Sequence, residues 1–409
     1  MSIVAKSEIQ PILDKVIARI PSSIQGVERL GEIFRQIQGT TEDEKLLLRS
    51  YLDQFLNLME KNHASDIDLG GTGCGGKIWY RIFGSKKPWN EGPTLSKTES
   101  DILLLSVLMP TQFSFLTEHK NLDFSYVVQI DPETNKRFRA DMYFDLDNLA
   151  LNMRAINTEI RPFKSLNLHP EIAKALSLKY LKYGLTLVTG ITGSGKSSTL
   201  DTIIDANNRS VDAHIVIISS PVEMVHTPRR SLVRHREVGR DTKSFKAGAI
   251  EALRQDPDII MIGELRDPET IMTALEITDS GHKTFSTLHT ASATESIDRI
   301  IGEVSPEEQE RVRNRLADVL TCVISQKLVP TIDGKRVMAK EVLLNTSSIK
   351  AAIKNNNTSE IYQMLMEGGN LGMLTLEQDL KRLYDEGIIS LEEAYNYANN
   401  KKKLKDLIN

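Results

Sequence analysis

The sequence predicts an α/β protein built on a mostly parallel sheet, with a smaller α+β domain ahead of it, and three observations lead there. Beyond Leu168, short apolar segments alternate with helical ones, the pattern of strands joined by crossover helices. One strand-to-helix junction carries the glycine-rich run GITGSGKS at residues 190–197. Between ASDIDL at 64–69 and Ile156, short alternating segments are broken by Gly, Pro and Asn, which reads as a smaller domain of hairpin-like strands. At 409 residues the chain is long enough for roughly two or three cores. The expected division is a helical extension at 1–59, the small α+β domain at 60–160, a linker at 161–167, the α/β core at 168–346 and a helical tail at 347–409.

Each part has its own signal. In the extension, Ile9, Ile12, Leu13, Val16, Ile17 and Ile20 form one helical stripe; Leu46, Leu47, Tyr51, Leu52, Phe55 and Leu56 form another. Thr41 with Glu44 fits a capping box ahead of the second stripe. In the small domain KIWYRIF, FSYVVQI and RFRADMYFDL read as strands. The polar stretch NTEIRPF at 157–163, where Pro162 discourages helix, leads into the linker. Four strands are expected in the core: LTLVTG, AHIVIIS, DIIMIGE and HKTFSTLH. The tail is helical from about Ser347, with breaks at NNN (355–357) and EGG (367–369).

Composition excludes several classes. A net charge of −4 with 26% charged residues gives no global basic field for nucleic acid. Cys74 and Cys322 are the two cysteines, far apart in sequence, which fits a reducing compartment better than a disulfide framework. No charged leader and no apolar run near ~20 residues is present, so the chain reads as cytoplasmic. No Cys/His spacing suggests zinc.

GITGSGKS matches G-x-x-x-x-G-K-[ST] in full and lies between the strand LTLVT and the helix SSTLDTIIDAN. The glycines let backbone N–H groups wrap a phosphate, Lys196 reaches the terminal phosphates, and the Ser197 hydroxyl is a Mg²⁺ ligand. The following helix adds its positive end, anchored by Leu200, Ile203 and Ile204. The candidate nucleotide site is therefore Gly190, Thr192, Gly193, Ser194, Gly195, Lys196, Ser197 and Ser198, with ATP and Mg²⁺ as cofactors.

Ligands of an open parallel sheet bind beyond the carboxyl ends of its strands. Three side chains stand at such ends: Glu223 past IISSP, Glu264 closing DIIMIGE, and His289 closing TFSTLH. Glu264 is the candidate to orient or deprotonate the attacking water, and Glu223 the candidate to assist through Mg²⁺. His289 is a candidate γ-phosphate contact; His282 begins the same strand at its opposite end. For each a plainer reading stays open: a pairing of Glu264 with Arg266, a solvated Glu223, hydrogen-bonded structural histidines.

On these residues the sequence resembles the secretion and type IV pilus motor ATPases, and most closely the twitching-motility, or pilus retraction, ATPases. The resemblance spans roughly residues 60–400 and runs through ASDIDL, LDFSY, RFR, GITGSGKSS, PVEMVH, REVGRDTKSF, ALRQDPDIIMIGELRDPET, GHKTFSTLHTASATESIDRI, VISQKLVP and GGNLGMLTLEQDLKRLYDEGIISLEEA. It implies a RecA-like core and a PAS-like small domain, with GELRD as the Walker B segment and GHKTFSTLH as the histidine box. It also implies a homo-hexameric ring that binds ATP at subunit boundaries. Such a ring couples hydrolysis to mechanical work on an inner-membrane platform protein, peripheral at the cytoplasmic face of that membrane.

Three departures accompany it. Ser219-Ser220-Pro221 stands where the family has two acids before the proline. SSIKAAIKNN at 347–356 is a degenerate form of the retraction-associated segment, and the first 55 or so residues have no counterpart in the short retraction ATPases.

Arginines supplied in trans recur in phosphoryl transfer, and Arg139 and Arg154, on the strand-rich segments leading to the linker, are the candidates. The leading expectation is an ATP-hydrolysing motor for pilus retraction or a related secretion machine. The alternative is a nucleotide-binding accessory ring subunit with weak hydrolysis, which Ser219 and Ser220 favour. A nucleic-acid motor lacks the basic groove with interleaved aromatics it would need. The basic tail NNKKKLKDLIN leaves contact with anionic lipid open beside a plain solvated helix end.

Overall fold

The computed structural model describes residues 4–83, 85–129, 135–156 and 159–409. Of the expected extension and linker run, residues 1–3 and 157–158 lie outside the described residues. The chain forms two compact units. The first holds the described residues up to Ile156 with Ser220–Met224 and Glu237–Asp241; the second holds Glu159–Ser219, Val225–Arg236 and Thr242–Asn409.

The first unit opens with three helices, α1 (Lys6–Ile17), α2 (Gly26–Gln38) and α3 (Glu42–Lys61). The Thr41–Glu44 capping box is present, with Glu44 N–H donating to Thr41 Oγ1 at 3.2 Å and Thr41 N–H to Glu44 Oε2 at 2.9 Å. The chain continues through β1 (Ala64–Gly70), β2 (Trp79–Ile82), β3 (Ser85–Pro88), α4 (Lys97–Ser106), α5 (Pro110–His119), β4 (Asn121–Gln129), β5 (Asn135–Asp145) and β6 (Asn148–Ala155). The strands form one antiparallel sheet in the order β3-β2-β1-β6-β5-β4. Helices and sheet share one core, where Ile9, Ile33, Leu52 and Phe55 join Ile67, Phe124 and Met153. Two stripe residues fall outside it: Ile17, the last residue of α1, and Leu46 are exposed, and the buried line on α3 runs through Leu48, Leu52, Phe55 and Met59. Asp101 of α4, fully buried, accepts from Arg29 of α2 at 2.7 Å and from Leu149 N–H of β6 at 3.0 Å, so one carboxylate fastens helix to helix and helix to sheet.

The second unit contains α6 (Pro170–Leu176), β7 (Gly184–Thr189), α7 (Lys196–Ser210), β8 (His214–Ser219), β9 (Leu232–Glu237), α8 (Phe245–Ala252), β10 (Ile259–Ile262), α9 (Pro268–Asp279), β11 (Lys283–Leu288), α10 (Ala293–Gly302) and α11 (Pro306–Val319). A long hairpin follows, β12 (Leu320–Pro330) and β13 (Arg336–Leu344). The tail helices are α12 (Ser347–Lys354), α13 (Ile361–Glu367), α14 (Leu376–Asp385), α15 (Leu391–Tyr397) and α16 (Lys401–Ile408). The sheet order is β13-β12-β7-β11-β10-β8-β9; β12, β7, β11, β10 and β8 run parallel, and β13 closes its edge antiparallel. Every residue of β7, β10 and β11 is buried, as expected of strands covered on both faces. Leu200, Ile203 and Ile204 of α7 are all fully buried and anchor that helix. A separate small core of Val329, Leu376, Leu380, Leu383 and Leu404 seats the tail on the hairpin.

Lys283 is the outlier of β11, a lysine with no exposed surface whose Nζ donates to Ala175 O at 2.7 Å and Leu181 O at 3.2 Å. Burial pushes its pKa down to about 8. Below that pH the ammonium is charged in both folded and unfolded chains, and its burial cost is felt in full. Between about 8 and about 10.4 the unfolded chain binds the extra proton, so this group's contribution makes stability rise with pH. The urea midpoint of the wild type relative to Lys283→Met should therefore climb between about pH 7 and about pH 10. A difference independent of pH would contradict the buried ammonium.

Candidate functional site

The site is built at the carboxyl ends of β7, β11 and β10, three adjacent strands of the second unit. From β7 the chain enters the loop 190–195 and then α7, whose first residue is Lys196. Two glycines make the loop possible. At Gly190, with φ of 148°, a Cβ would lie 2.4 Å from Gln326 O and 2.5 Å from Ser194 Oγ. Gly195 occupies the left-handed region at φ 89° as the N-cap of α7. A Cβ at Gly193 would meet nothing within 4 Å, so the loop's outer side is open.

The Lys196 ammonium is turned back into its own loop, donating to Gly190 O at 2.8 Å and Ile191 O at 3.1 Å. Burial holds its pKa below the ordinary lysine value, against the opposing pull of the Glu264 carboxylate. Nζ also lies 3.5 Å from His289 Nδ1, and His289 Nε2 lies 3.4 Å from Glu264 Oε2. With Nδ1 accepting from the ammonium, the ring proton belongs on Nε2, facing the carboxylate. Glu264 is paired on its other oxygen with Arg266, so the expected local pairing exists beside the contact to His289. Lys196, His289 and Glu264 thus form one chain of polar contacts across three strand ends.

The Glu264 segment is pinned from both sides. Gly263 N–H donates to Ile218 O at 2.8 Å, while Thr287 Oγ1 donates to Gly263 O at 2.7 Å and Leu265 N–H to Thr287 O at 3.0 Å. A side chain at Gly263 would meet Phe245 at 3.2 Å and Ile218 O at 3.3 Å, so this packing leaves a tight fit for any larger residue there.

The loop's donors suit a phosphate. Ser194 Oγ is buried with no partner among the described residues, Ser197, Ser198 and Thr192 are exposed, and the loop opens the 15-residue helix α7, whose first-turn N–H groups and dipole attract anions. The exposed Ser197 hydroxyl is a hard oxygen of the kind Mg²⁺ takes. No cluster of three His, Cys, Asp or Glu side chains able to hold a metal alone exists among the described residues.

The other predicted residues take no part in this chain of contacts. His282 lies at the amino end of β11, seven residues of extended strand or about 23 Å from His289. There its Nδ1 sits 3.1 Å from Ile277 O and 3.0 Å from Ser280 Oγ. Glu223 belongs to the first unit, where it pairs with Arg139 at 3.3 Å; Arg139 also reaches Asp123 at 3.5 Å. Arg154 pairs with the buried Asp66 at 2.7 Å and remains largely exposed. Cys74 and Cys322 are free thiols.

Sequence reasoning missed one participant. Gln326 of β12, buried, donates through Nε2 to Ser194 O at 2.7 Å, and its Oε1 has no partner among the described residues. Ser325 and Thr189 share a 2.6 Å hydroxyl contact just before it. Gln326 stood inside VISQKLVP, but its role depends on β12 lying beside β7, which no periodicity reveals.

Residues 148–406 match the family described as Type II/IV secretion system protein. The chain belongs to that family. It is 37% identical over 347 residues to the type IV pilus retractation ATPase PilT of Pseudomonas aeruginosa, covering 85% of this chain and 98% of that one. The crystal structure of the pilus retraction motor PilT with bound ADP superposes with a TM-score of 0.75 at 36% identity, over 86% of this chain and 98% of that one. The Legionella pneumophila ATPase DotB superposes at 0.66 with 27% identity, over 85% and 95%. As a member of this family the chain is a nucleotide-using ATPase, and its two-sheet α/β architecture is the family's.

Replacing Gln326 with Leu removes the amide that fixes Ser194 O and should weaken ADP binding by about tenfold. Isothermal titration checks this, and unchanged affinity would show that the loop holds its shape without the amide.

Proposed function

We propose that the chain is an ATP-hydrolysing motor that powers type IV pilus retraction or a related secretion machine. The observation that carries this reading is the contact chain Lys196–His289–Glu264 beside an open glycine loop at the start of α7. The reading is supported by the family, described as Type II/IV secretion system protein, and by the relative named as a pilus retraction motor.

The loop amides and Lys196 bind the phosphates, Lys196 exchanging its two loop carbonyls for phosphate oxygens. Glu264, held by Arg266 and His289, orients the attacking water and accepts its proton. His289, placed between Lys196 and Glu264, contacts the terminal phosphate and relates its presence to the carboxylate. Ser197 would hold Mg²⁺, which supplies neutralisation of phosphate charge when bound. Arg139 and Arg154 are proposed to complete a neighbouring subunit's site. In that arrangement the motor is a homo-hexamer at the cytoplasmic face of the inner membrane, acting on a platform protein there and not on nucleic acid. No helix among the described residues is long and apolar enough to cross a membrane, which suits a peripheral attachment.

A second reading, an accessory ring subunit that binds nucleotide and hydrolyses weakly, is favoured by one observation: Ser219 and Ser220 replace two acids at the end of β8. The hydroxyls hydrogen-bond but carry no charge, so metal organisation suffers more than phosphate binding. Ser219→Glu with Ser220→Asp should lower the Mg²⁺ concentration giving half-maximal turnover; an unchanged Mg²⁺ dependence would remove the serines from the account.

Lys196 and Glu264 separate binding from chemistry. Lys196→Ala should weaken nucleotide binding, whereas Glu264→Gln should keep it and lose turnover by about a hundredfold or more. Equal loss of affinity in both variants would contradict these roles, and wild-type protein without Lys196-dependent hydrolysis at any Mg²⁺ concentration would leave the accessory reading.

A further inference from the structure

The segment following His289 is held by the tail. Ala291, two residues past His289, accepts through its carbonyl from Asn399 Nδ2 at 3.0 Å. Asn399 lies in the turn between α15 and α16, and its Oδ1 accepts from Lys327 Nζ at 2.7 Å. Lys327 also donates to Tyr397 O at 2.8 Å, so its ammonium fixes both ends of that short turn. The anchor is firm, because Lys327 is half-buried on β12 and pairs with Ala339 of β13. A second tether comes from the same hairpin: the buried Glu341 of β13 accepts from Ala293 N–H at 2.7 Å. The five residues from His289 to Ala293 are thus gripped on both sides, by Glu341 directly and by Lys327 through Asn399.

These bonds bear on the chemistry because the His289 ring's contacts to its two site partners are long, 3.5 Å to Lys196 and 3.4 Å to Glu264. Contacts at that length change sharply with small displacements of the ring, and the segment after it, which Glu295 also holds through Ala291 N–H at 2.7 Å, is one of the restraints on where the ring sits. We propose that Asn399 is a positioning residue for His289, and that the C-terminal turn at 397–400 thereby ties the tail's placement to turnover at the nucleotide site. The inference rests on the reading of His289 and Glu264 as parts of an ATPase site. It adds a route by which a load or partner acting on the tail alters hydrolysis without touching nucleotide.

Asn399 is exposed and its removal leaves the tail's apolar core intact, so the variants should fold. Asn399→Asp keeps the acceptor for Lys327 and loses the donor to Ala291; Asn399→Ala loses both. Both should lower kcat by about tenfold while KM for ATP stays within about twofold. In a His289→Ala background Asn399→Ala should cost nothing further, since a residue acting through His289 has no effect once that ring is gone. Undiminished kcat in either variant, or a loss that persists in the His289→Ala background, would overturn the proposal. Hydrogen exchange in the nucleotide-free protein separates this inference from the reading beneath it. Peptides covering 289–293 should exchange faster in Asn399→Ala than in wild type, while those from β7 do not change. Unchanged exchange there overturns the tether whether or not the wild type hydrolyses ATP; faster exchange in Asn399→Ala, beside a wild type that lacks Lys196-dependent hydrolysis, upholds the tether and retires the reading of turnover at this site alone.

Discussion

One buried ammonium organises the second unit. Lys196 is taken out of water at the start of α7 and given only carbonyls and an imidazole as close partners, with the Glu264 carboxylate reached through His289. A cation so placed is incompletely compensated, which is why burial lowers its pKa, and an anion entering the loop relieves the cost. The rest follows from holding that ammonium in place: glycines where side chains would strike Gln326 and Ser194, a fully buried stripe anchoring α7, and neighbouring strands whose ends deliver His289 and Glu264.

The strand order explains which groups meet. Because β11 lies between β7 and β10, the histidine ending β11 stands between the lysine past β7 and the carboxylate past β10. β12, on the other side of β7, supplies Gln326 to the loop and, at the next residue, Lys327 to the tail turn. Successive residues of a strand point to opposite faces, so one strand serves the nucleotide loop on one face and the C-terminal turn on the other.

Much of this was legible in the sequence. The phosphate loop, its flanking strand and helix, the four central strands and the Thr41 capping box were carried by local spacing; the break at 355–357 falls between α12 and α13, and that at 367–369 begins on the last residue of α13 and runs into a 3-10 turn. What escaped was set by tertiary context. Helix α4 is buried at every residue from Glu99 to Ser106, so it has no polar face and no period to read. The β12–β13 hairpin turns at Asp333-Gly334, a local signal that was passed over, but its seat on the edge of a parallel sheet is set by the pairing of β12 with β7, which no local pattern carries. Gln326, Lys327 and Asn399 are polar residues whose partners lie up to 132 residues away, from Gln326 to Ser194, a pairing that only the folded sheet creates. Glu223 and Arg139, each singled out separately, turned out to be ion-paired with one another.

The central claim is that Lys196 is poised for a phosphate and that its present bonds to the loop are those it gives up. A crystal structure of the protein with Mg²⁺ and ADP tests this directly. The account predicts the nucleotide's terminal phosphate in the 190–197 loop, with Lys196 Nζ within about 3 Å of a phosphate oxygen and released from Gly190 O. Nucleotide bound elsewhere, or Nζ still on the Gly190 and Ile191 carbonyls with phosphate in the loop, would contradict it.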